Sequence, residues 1–143
     1  TIHDDISEPK SVLLKETLIG KADKILVDAP CSGLGVLSKK PDIKWKREIE
    51  DIMKLQTLQL EILENSVKYL KPGGVIIYST CTMETEENMD VVKLFLEKNK
   101  NFEIENAGKF VSEKVVNADG CIELFPHINN VDGAFSVRLK NII

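Results

Sequence analysis

The sequence predicts an α/β fold in which a doubly wound parallel sheet ends in an antiparallel hairpin. Two short β-branched runs, residues 25–27 and 75–77, are typical of buried strands. Segments with helical periodicity precede, separate and follow these runs, as the crossovers of a parallel sheet require. Residues 134–140 alternate between apolar and polar side chains, which indicates a half-buried strand at the end of the sheet.

The first part of the chain supplies the end of an earlier strand, a helix, the first complete strand and a long loop. Residues 2–5 are interpreted as the end of an earlier strand, and residues 9–19 as a helix that Gly20 ends. Residues 24–28 are expected to form a short buried strand. Residues 29–45 contain prolines and glycines throughout, and loops of this length in compact domains are usually functional.

The middle of the chain supplies two helices and the second strand. Apolar residues at spacings of three and four predict an amphipathic helix over residues 46–70, which the Pro-Gly-Gly sequence at 72–74 ends. Residues 75–79 form the second predicted strand. Thr82 is expected to cap a further helix, which runs to about Lys98 and has acidic residues in its first turn.

The last part of the chain supplies the hairpin. Residues 102–119 carry little pattern, and the hairpin strands are assigned to residues 121–125 and 134–140. The Asn-Asn and Asp-Gly pairs between these strands are typical of turns. Cys121 is therefore expected to be buried in a strand.

The composition indicates a globular domain of the cytoplasm. The 143 residues suffice for one hydrophobic core, and 43% of them are hydrophobic. Three cysteines in a lysine-rich chain favour a reducing compartment over a secreted disulfide scaffold. No stretch is long and apolar enough to suggest a membrane span. The only histidines are His3 and His127 and no Cys-x-x-Cys pair occurs, so no metal site is predicted.

Charge is unevenly distributed along the chain. The net charge of −4 does not suggest binding to nucleic acid. Residues 38–47, however, set five basic side chains against the single carboxylate of Asp42: Lys39, Lys40, Lys44, Lys46 and Arg47. Charge alone favours a solvated loop here, and contact with phosphate is the alternative.

Two cysteine motifs follow the two predicted parallel strands. The carboxyl ends of such strands form the sheet edge at which ligands bind. The first motif places Asp28 and Cys31 on one turn that Pro30 stiffens. Cys81 lies just before the helix predicted from Thr82, and a helix N-terminus favours the thiolate form of a nucleophile. Taken alone, each motif is also consistent with a buried structural cysteine.

These motifs belong to an ordered set that spans most of the chain. The set comprises Asp-Ala-Pro-Cys-Ser-Gly-Leu-Gly at 28–35, Lys-Pro-Asp-Ile-Lys-Trp at 40–45, Leu-Lys-Pro-Gly-Gly at 70–74, Tyr-Ser-Thr-Cys-Thr at 78–82, Glu-Glu-Asn at 86–88 and Asp-Gly-Ala-Phe-Ser-Val-Arg-Leu at 132–139. Together the motifs strongly resemble the Sun/Fmu family of RNA 5-methylcytosine methyltransferases, from about Ile2 to Lys140.

The resemblance implies a Rossmann-like methyltransferase fold that uses S-adenosylmethionine to methylate carbon 5 of a cytidine, with small-subunit ribosomal RNA as the expected partner. The glycine-rich turn that cradles the cofactor in this family does not occur before Asp4. Residues 1–143 are therefore expected to form a single domain, the C-terminal part of the catalytic domain truncated at its N-terminus. Such a chain alone should bind the cofactor weakly or not at all.

The resemblance also implies a role for each site residue. Cys81 is the nucleophile that adds to carbon 6 of the base, and Cys31 assists breakdown of the covalent adduct. Asp28 meets both cofactor and cytosine, and Asp4 contacts the cofactor adenine. For the basic segment, residues 38–47, the resemblance favours contact with RNA through four side chains: Lys39, Lys40, Lys44 and Arg47. Trp45 is expected to pack rather than to stack on a base.

Three other hypotheses about the function stay open. An amino-group methyltransferase places a related Asp/Asn-Pro-Pro-aromatic turn at the same sheet edge, although nitrogen methylation needs no thiol. A catalytically inert RNA- or protein-binding fragment is the second. A redox role is the third, and it would require a disulfide between Cys31 and Cys81, with α-carbons within about 7 Å. An exposed strand edge left by the truncation would also invite a dimer.

Overall fold

The computed structural model describes residues 18–143. Asp4, the strand predicted at residues 2–5 and most of the helix predicted at 9–19 lie outside the described residues. The strands are β1 (Ala22–Asp28), β2 (Leu70–Thr80), β3 (Phe102–Ile104), β4 (Ile122–Leu124) and β5 (Ala134–Asn141), and the α-helices are α1 (Ile49–Val67), α2 (Met89–Lys98) and α3 (Pro126–Asn129). Short 3₁₀ turns occupy Pro41–Trp45, Thr85–Glu87, Ala107–Lys109 and Glu113–Val115.

All five described strands form one mixed sheet in the order β1-β2-β5-β3, with β4 also paired to β5. β1 and β2 run parallel, and β5 runs antiparallel to each of its partners. β3 pairs with the last residues of β5 and β4 with its first residues. The α/β prediction with a terminal antiparallel hairpin is therefore confirmed, and β3 is an element that the weak pattern of residues 102–119 did not predict.

The core lies between the sheet and the helices α1 and α2. Alternate residues of β2 and β5 point into it, since Ile76, Tyr78, Phe135, Val137 and Leu139 are all at most 1% exposed. The helices contribute a matching set of fully buried side chains: Leu63, Val91, Val92 and Phe95. Full burial of one such side chain stabilises the fold by about 1.5–3 kcal/mol. This packing holds the carboxyl ends of β1 and β2 side by side.

The boundary between α1 and β2 differs from the prediction. α1 ends at Val67, and β2 begins at Leu70, so the Pro-Gly-Gly sequence lies inside the strand instead of ending the helix. Pairing with β1 is the physical reason. The amide of Ala22 donates to the carbonyl of Tyr69 at 2.8 Å, and Leu70 is the register partner of Ala22. This pairing makes the chain leave the helix before Pro72.

The start of α2 also differs from the prediction. The helix begins at Met89, after the 3₁₀ turn Thr85–Glu87, and Asn88 rather than Thr82 is its N-cap residue. The Thr82 hydroxyl is instead bonded to that of Ser32 at 2.9 Å and accepts from the Glu84 amide at 3.3 Å. Cys81 therefore does not lie at a helix N-terminus, and the argument that a helix dipole activates it is wrong.

Two burial predictions have different outcomes. Cys121 is fully buried, as expected, one residue before β4. β1 is less buried than its apolar run suggested, because it lies at one end of the described sheet. Leu26 is 68% exposed, whereas Val27 is only 6% exposed.

No helix within residues 18–143 combines the length and hydropathy that crossing a bilayer requires.

Candidate active site

The structure brings the two motif cysteines into direct contact. The Sγ atoms of Cys31 and Cys81 lie 3.0 Å apart, and the amide of Cys81 donates to Cys31 Sγ at 3.3 Å. Cys31 follows β1 and Cys81 follows β2, so parallel pairing of these strands places both thiols at one sheet edge. Cys81 is exposed and Cys31 is half-buried. An incoming molecule would therefore meet Cys81 first.

Burial keeps the Cys31 thiol protonated. Desolvation, reinforced by the hydrogen bond with Cys81, raises the pKa of the Cys31 thiol from 9.0 to about 12. Cys31 is therefore a neutral thiol near pH 7 and can donate its S–H to the sulfur of Cys81. Two adjacent thiols of unequal exposure can divide one reaction between nucleophilic attack and hydrogen-bond donation to the attacking sulfur.

Asp28 lies at the same edge, at the exposed end of β1. The Ser79 hydroxyl donates to Asp28 Oδ1 at 3.2 Å, and the Ala29 amide donates to the Ser79 carbonyl at 2.9 Å. An open cleft of about 270 Å³ lies beside it, lined by β1 residues, Pro30 and two side chains of α1, Ile62 and Ser66. The cleft thus combines an apolar wall with one carboxylate.

Backbone contacts fix the two cysteine segments to each other and to the hairpin. The Gly35 amide donates to the Cys81 carbonyl at 3.0 Å, and the Gly133 amide donates to the Gly35 carbonyl at 2.8 Å. A Cβ atom at Gly35 would come within 2.2 Å of the Gly133 oxygen. Only glycine fits at this crossing, which explains Gly35 in the first motif and Gly133 in the last.

A buried polar cluster behind the thiols is a part of the site that sequence reasoning missed. Glu87 was expected among the acidic residues in the first turn of a helix; it is instead fully buried, as are Gln59, Ser32 and Thr82. Asn88 holds the neighbouring strand end, since it accepts from the Thr80 hydroxyl at 2.5 Å and donates to the Thr82 carbonyl at 3.1 Å. Gln59 lies on the same buried face of α1 as Ile52 and Leu63. A polar residue on the apolar face of a helix is costly to bury, so Gln59 is a sequence signal that could have indicated the cluster.

The four predicted RNA-binding side chains lie in different environments. Lys39 forms an ion pair with Asp132 at 2.5 Å, which raises the pKa of Lys39 and lowers that of Asp132. Arg47 donates from Nε to the Ser32 carbonyl at 3.1 Å and so supports the Pro-Cys turn. Lys40 and Lys44 are exposed and form no ion pair within residues 18–143.

Trp45 does not pack as predicted. Its side chain is 80% exposed on the 3₁₀ turn Pro41–Trp45, and the Lys44 ammonium lies 5.1 Å from the centre of its ring. None of the residues of this turn is buried, so the indole lies on the surface of the described residues. An exposed indole beside ammonium groups is a surface that can stack on a base and contact phosphate.

Comparisons with known proteins find relatives that share one family. The profile of the family described as 16S rRNA methyltransferase RsmB/F matches residues 1–140. The chain is 41% identical over 121 residues to the probable ribosomal RNA small subunit methyltransferase B of Bacillus subtilis, covering 82% of this chain and 27% of that protein. It is 38% identical over 117 residues to the methyltransferase B of Shewanella oneidensis, covering 82% of this chain and 26% of that protein. The chain thus spans about a quarter of the length of these relatives.

A solved structure shows the same fold. NSun6 from Pyrococcus horikoshii with SFG, an analogue of S-adenosylmethionine, matches with a TM-score of 0.79 and 30% identity, covering 99% of this chain and 34% of that chain. Proteins of this fold and family depend on S-adenosylmethionine. The predicted resemblance and fold class are confirmed, and the chain belongs to the 16S rRNA methyltransferase RsmB/F family.

Proposed function

We propose that this chain carries the covalent catalytic centre of an enzyme that methylates carbon 5 of a cytidine in small-subunit ribosomal RNA, with S-adenosylmethionine as methyl donor. The observation that carries the proposal is the 3.0 Å contact between the sulfur atoms of Cys31 and Cys81. Carbon 5 of cytosine is a poor nucleophile, so its methylation needs covalent activation. Methylation of a ring nitrogen or an amino group would not need two thiols.

Cys81 is the proposed nucleophile because it is the exposed member of the pair. Its thiolate adds an electron pair to carbon 6 of the base, and the C5–C6 double bond becomes the electron source that makes carbon 5 nucleophilic. Once carbon 5 has received the methyl group, a base removes its proton. The electron pair of that C–H bond then re-forms the double bond as the C6–S bond breaks.

Cys31 is proposed to assist that release. Its raised pKa keeps it a thiol, and its sulfur lies in hydrogen-bond contact with the sulfur that must leave. Donation of the Cys31 S–H stabilises the negative charge that develops on Cys81 as the C6–S bond breaks. The raised pKa of Cys31 also disfavours its thiolate near neutral pH, so Cys31 is not the proposed attacking group.

The cleft beside β1 is the proposed cofactor-facing surface. When bound, S-adenosylmethionine supplies an electrophilic methyl group on a positively charged sulfur. The described residues fit such a molecule, because Asp28 offers a carboxylate to its positive groups and the side chains around the cleft offer apolar surface. Asp4 is proposed to contact the adenine, and it lies outside the described residues.

RNA is proposed to approach across the basic segment. Lys40, Lys44 and Trp45 are exposed there, and phosphate contact with base stacking is how such a surface binds an unpaired strand. An open cleft of about 470 Å³ lies between the loop that leads into this segment and the hairpin loop, lined among others by Gly35, Met83 and Asp132. The target base must leave its helix to reach Cys81. The cytoplasm is the proposed location of this activity.

Nucleoside analysis of methylated ribosomal RNA tests the proposal. Full-length protein is incubated with unmodified small-subunit RNA and methyl-labelled S-adenosylmethionine, and the RNA is digested and separated. Label in 5-methylcytidine, absent with Cys81→Ala, is the expected result. Label in 4-methylcytidine, in an adenosine derivative, or undiminished with Cys81→Ala would contradict the proposal, as would the absence of any label with the wild-type protein.

A further inference from the structure

We propose that Gln59 and Glu87 are positioning residues that clamp the two peptide groups flanking Cys31 and so hold its thiol against Cys81. Gln59 lies on α1, and Glu87 lies in the turn before α2. Neither side chain touches a reacting atom in the proposed mechanism. The proposal rests on the proposed function only for its second readout, and the geometry itself is independent of any methyl transfer.

Three hydrogen bonds form the clamp. Gln59 Nε2 donates to the carbonyl of Pro30 at 2.8 Å, which is the acceptor just before Cys31. The amide of Ser32, just after Cys31, donates to Glu87 Oε2 at 2.9 Å. Gln59 Nε2 also lies 2.8 Å from Glu87 Oε2, so one side-chain pair closes both contacts. The backbone on both sides of the thiol is therefore fixed by the same two residues.

The burial of the pair argues against a role in packing alone. Both side chains are 0% exposed, and Glu87 forms no ion pair within residues 18–143. Burying a carboxylate without a cation is expensive compared with filling the same space with an apolar side chain. The Oε1 atoms of both residues also lack a hydrogen-bond partner within the described part of the chain. Such costs are typical of functional sites.

The clamp is anchored to the elements that carry Cys81. The hydroxyl of Tyr78, three residues before Cys81 on β2, donates to the backbone carbonyl of Glu87 at 2.6 Å. The hydroxyls of Ser32 and Thr82, each adjacent to one of the cysteines, are 2.9 Å apart. Cys31 is thus positioned from α1 and from β2 at once. Loosening the clamp should enlarge the distance between the sulfur atoms and leave the exposure of Cys81 unchanged.

The first readout measures the thiol pair directly. In a buffer of glutathione and its disulfide, the two cysteine thiols lose two hydrogens to form a disulfide as one glutathione disulfide becomes two glutathione thiols. The equilibrium constant reports how closely the protein holds the two sulfurs. It is measured on full-length protein as the proportion of the tryptic peptides carrying Cys31 and Cys81 that are linked to each other, which their mass identifies. This constant requires neither RNA nor cofactor.

The variants separate positioning from folding. Gln59→Met keeps the length of the side chain and removes the donor, and Gln59→Asn keeps the amide but is one methylene too short to close both contacts. Glu87→Gln keeps an acceptor oxygen for Ser32. Leu63→Ala on the same helix is the matched destabilised control, because Leu63 is fully buried and belongs to the apolar core.

We expect Gln59→Met and Gln59→Asn to lower the disulfide equilibrium constant about ten- to a hundredfold, the scale at which misplacement by 1 Å acts. Glu87→Gln should stay within about threefold of wild type, and Leu63→Ala should leave the constant unchanged under folding conditions. Equal constants for wild type and both Gln59 variants would overturn the proposal. So would a loss with Leu63→Ala as large as that with Gln59→Met, or a wild-type protein that forms no such disulfide.

The second readout is the lifetime of the covalent RNA adduct. Gln59→Met should prolong the adduct as Cys31→Ala does, while the rate at which Cys81 attacks changes little. An unchanged lifetime with a lowered disulfide constant would contradict the catalytic part of the inference. If wild-type protein methylates no RNA, the proposed function fails, whereas the disulfide constant still decides whether the clamp exists.

Discussion

Replacing Gly35 by alanine should damage the site more than any other loss of a glycine in the loop after β1. The added Cβ would lie 2.2 Å from the Gly133 oxygen and 2.8 Å from the Cys81 oxygen, and both are backbone atoms that no side-chain rotation can move. The loop must therefore shift away, and the Gly35 hydrogen bonds to Cys81 and Gly133 are lost or lengthened.

The size of the effect follows from these contacts. Overpacking in a tight site costs about 1–3 kcal/mol, and each of the two backbone hydrogen bonds contributes about 1 kcal/mol. We therefore expect Gly35→Ala to lower the free energy of unfolding by about 3–5 kcal/mol. The matched control is Gly73→Ala. No atom lies within 4 Å of a Cβ there, and the cost comes only from the left-handed φ of 70°, about 1–2 kcal/mol.

Urea unfolding of both variants measures the difference in stability. The rate of covalent adduct formation, measured under conditions where both variants are folded, tests whether the loop also positions Cys81. Gly35→Ala should be the less stable variant and should form adduct more slowly, and Gly73→Ala should react at the wild-type rate. A Gly35→Ala protein as stable as Gly73→Ala, with a wild-type rate, would refute the close crossing of the loop, the strand end and the hairpin.

Two further predictions concern charge and pH. Lys40→Ala should reduce the salt dependence of RNA binding by about one counterion, whereas Lys39→Ala should reduce it less because Lys39 is paired with Asp132. Fluorescence anisotropy at several salt concentrations measures the slope of the logarithm of the binding constant against the logarithm of the salt concentration. Equal slopes for the two variants would contradict this prediction. Burial raises the pKa of Cys121 to about 12, and that of Cys31 shifts in the same direction. As the pH rises above about 9, these thiols ionise in the unfolded chain before they ionise in the folded one. The contribution of the buried thiols to the free energy of unfolding is therefore fully present below pH 9 and is lost between pH 9 and 12, by up to about 1.4 kcal/mol per pH unit for one thiol. Unfolding curves from pH 8 to 11 should fall less steeply for Cys121→Ala than for wild type, and parallel curves would rule the effect out.

Local sequence signals predicted those parts of the fold that depend on neighbouring residues. The β-branched run before Asp28 and the alternation around Phe135 are short-range patterns, and both strands form where they indicate. The two cysteine motifs predicted a shared sheet edge because parallel strands end on the same side of a sheet. Each of these inferences needed only the residues within one element and a general rule of sheet geometry.

Features that depend on distant partners could not be predicted in this way. Pro72 lies inside β2 because Leu70 pairs with Ala22, which is far away in the sequence. Thr82 does not cap a helix because its hydroxyl binds Ser32 of the other motif. Glu87 is buried because its acceptor oxygen faces the Ser32 amide. In each case a contact between residues that are distant in the sequence overrides a local preference.

The order of the two cysteines is tested most directly by trapping the covalent adduct. RNA with 5-fluorocytidine at the target position cannot lose fluorine from carbon 5 as it would a proton, so the adduct accumulates once the methyl group has been transferred. Full-length protein, S-adenosylmethionine and this RNA are combined, and the modified tryptic peptide is identified by mass. We expect RNA attached to Cys81, a complex that survives Cys31→Ala, and complete loss of the complex with Cys81→Ala. RNA attached to Cys31, or a complex that survives Cys81→Ala and vanishes with Cys31→Ala, would contradict it.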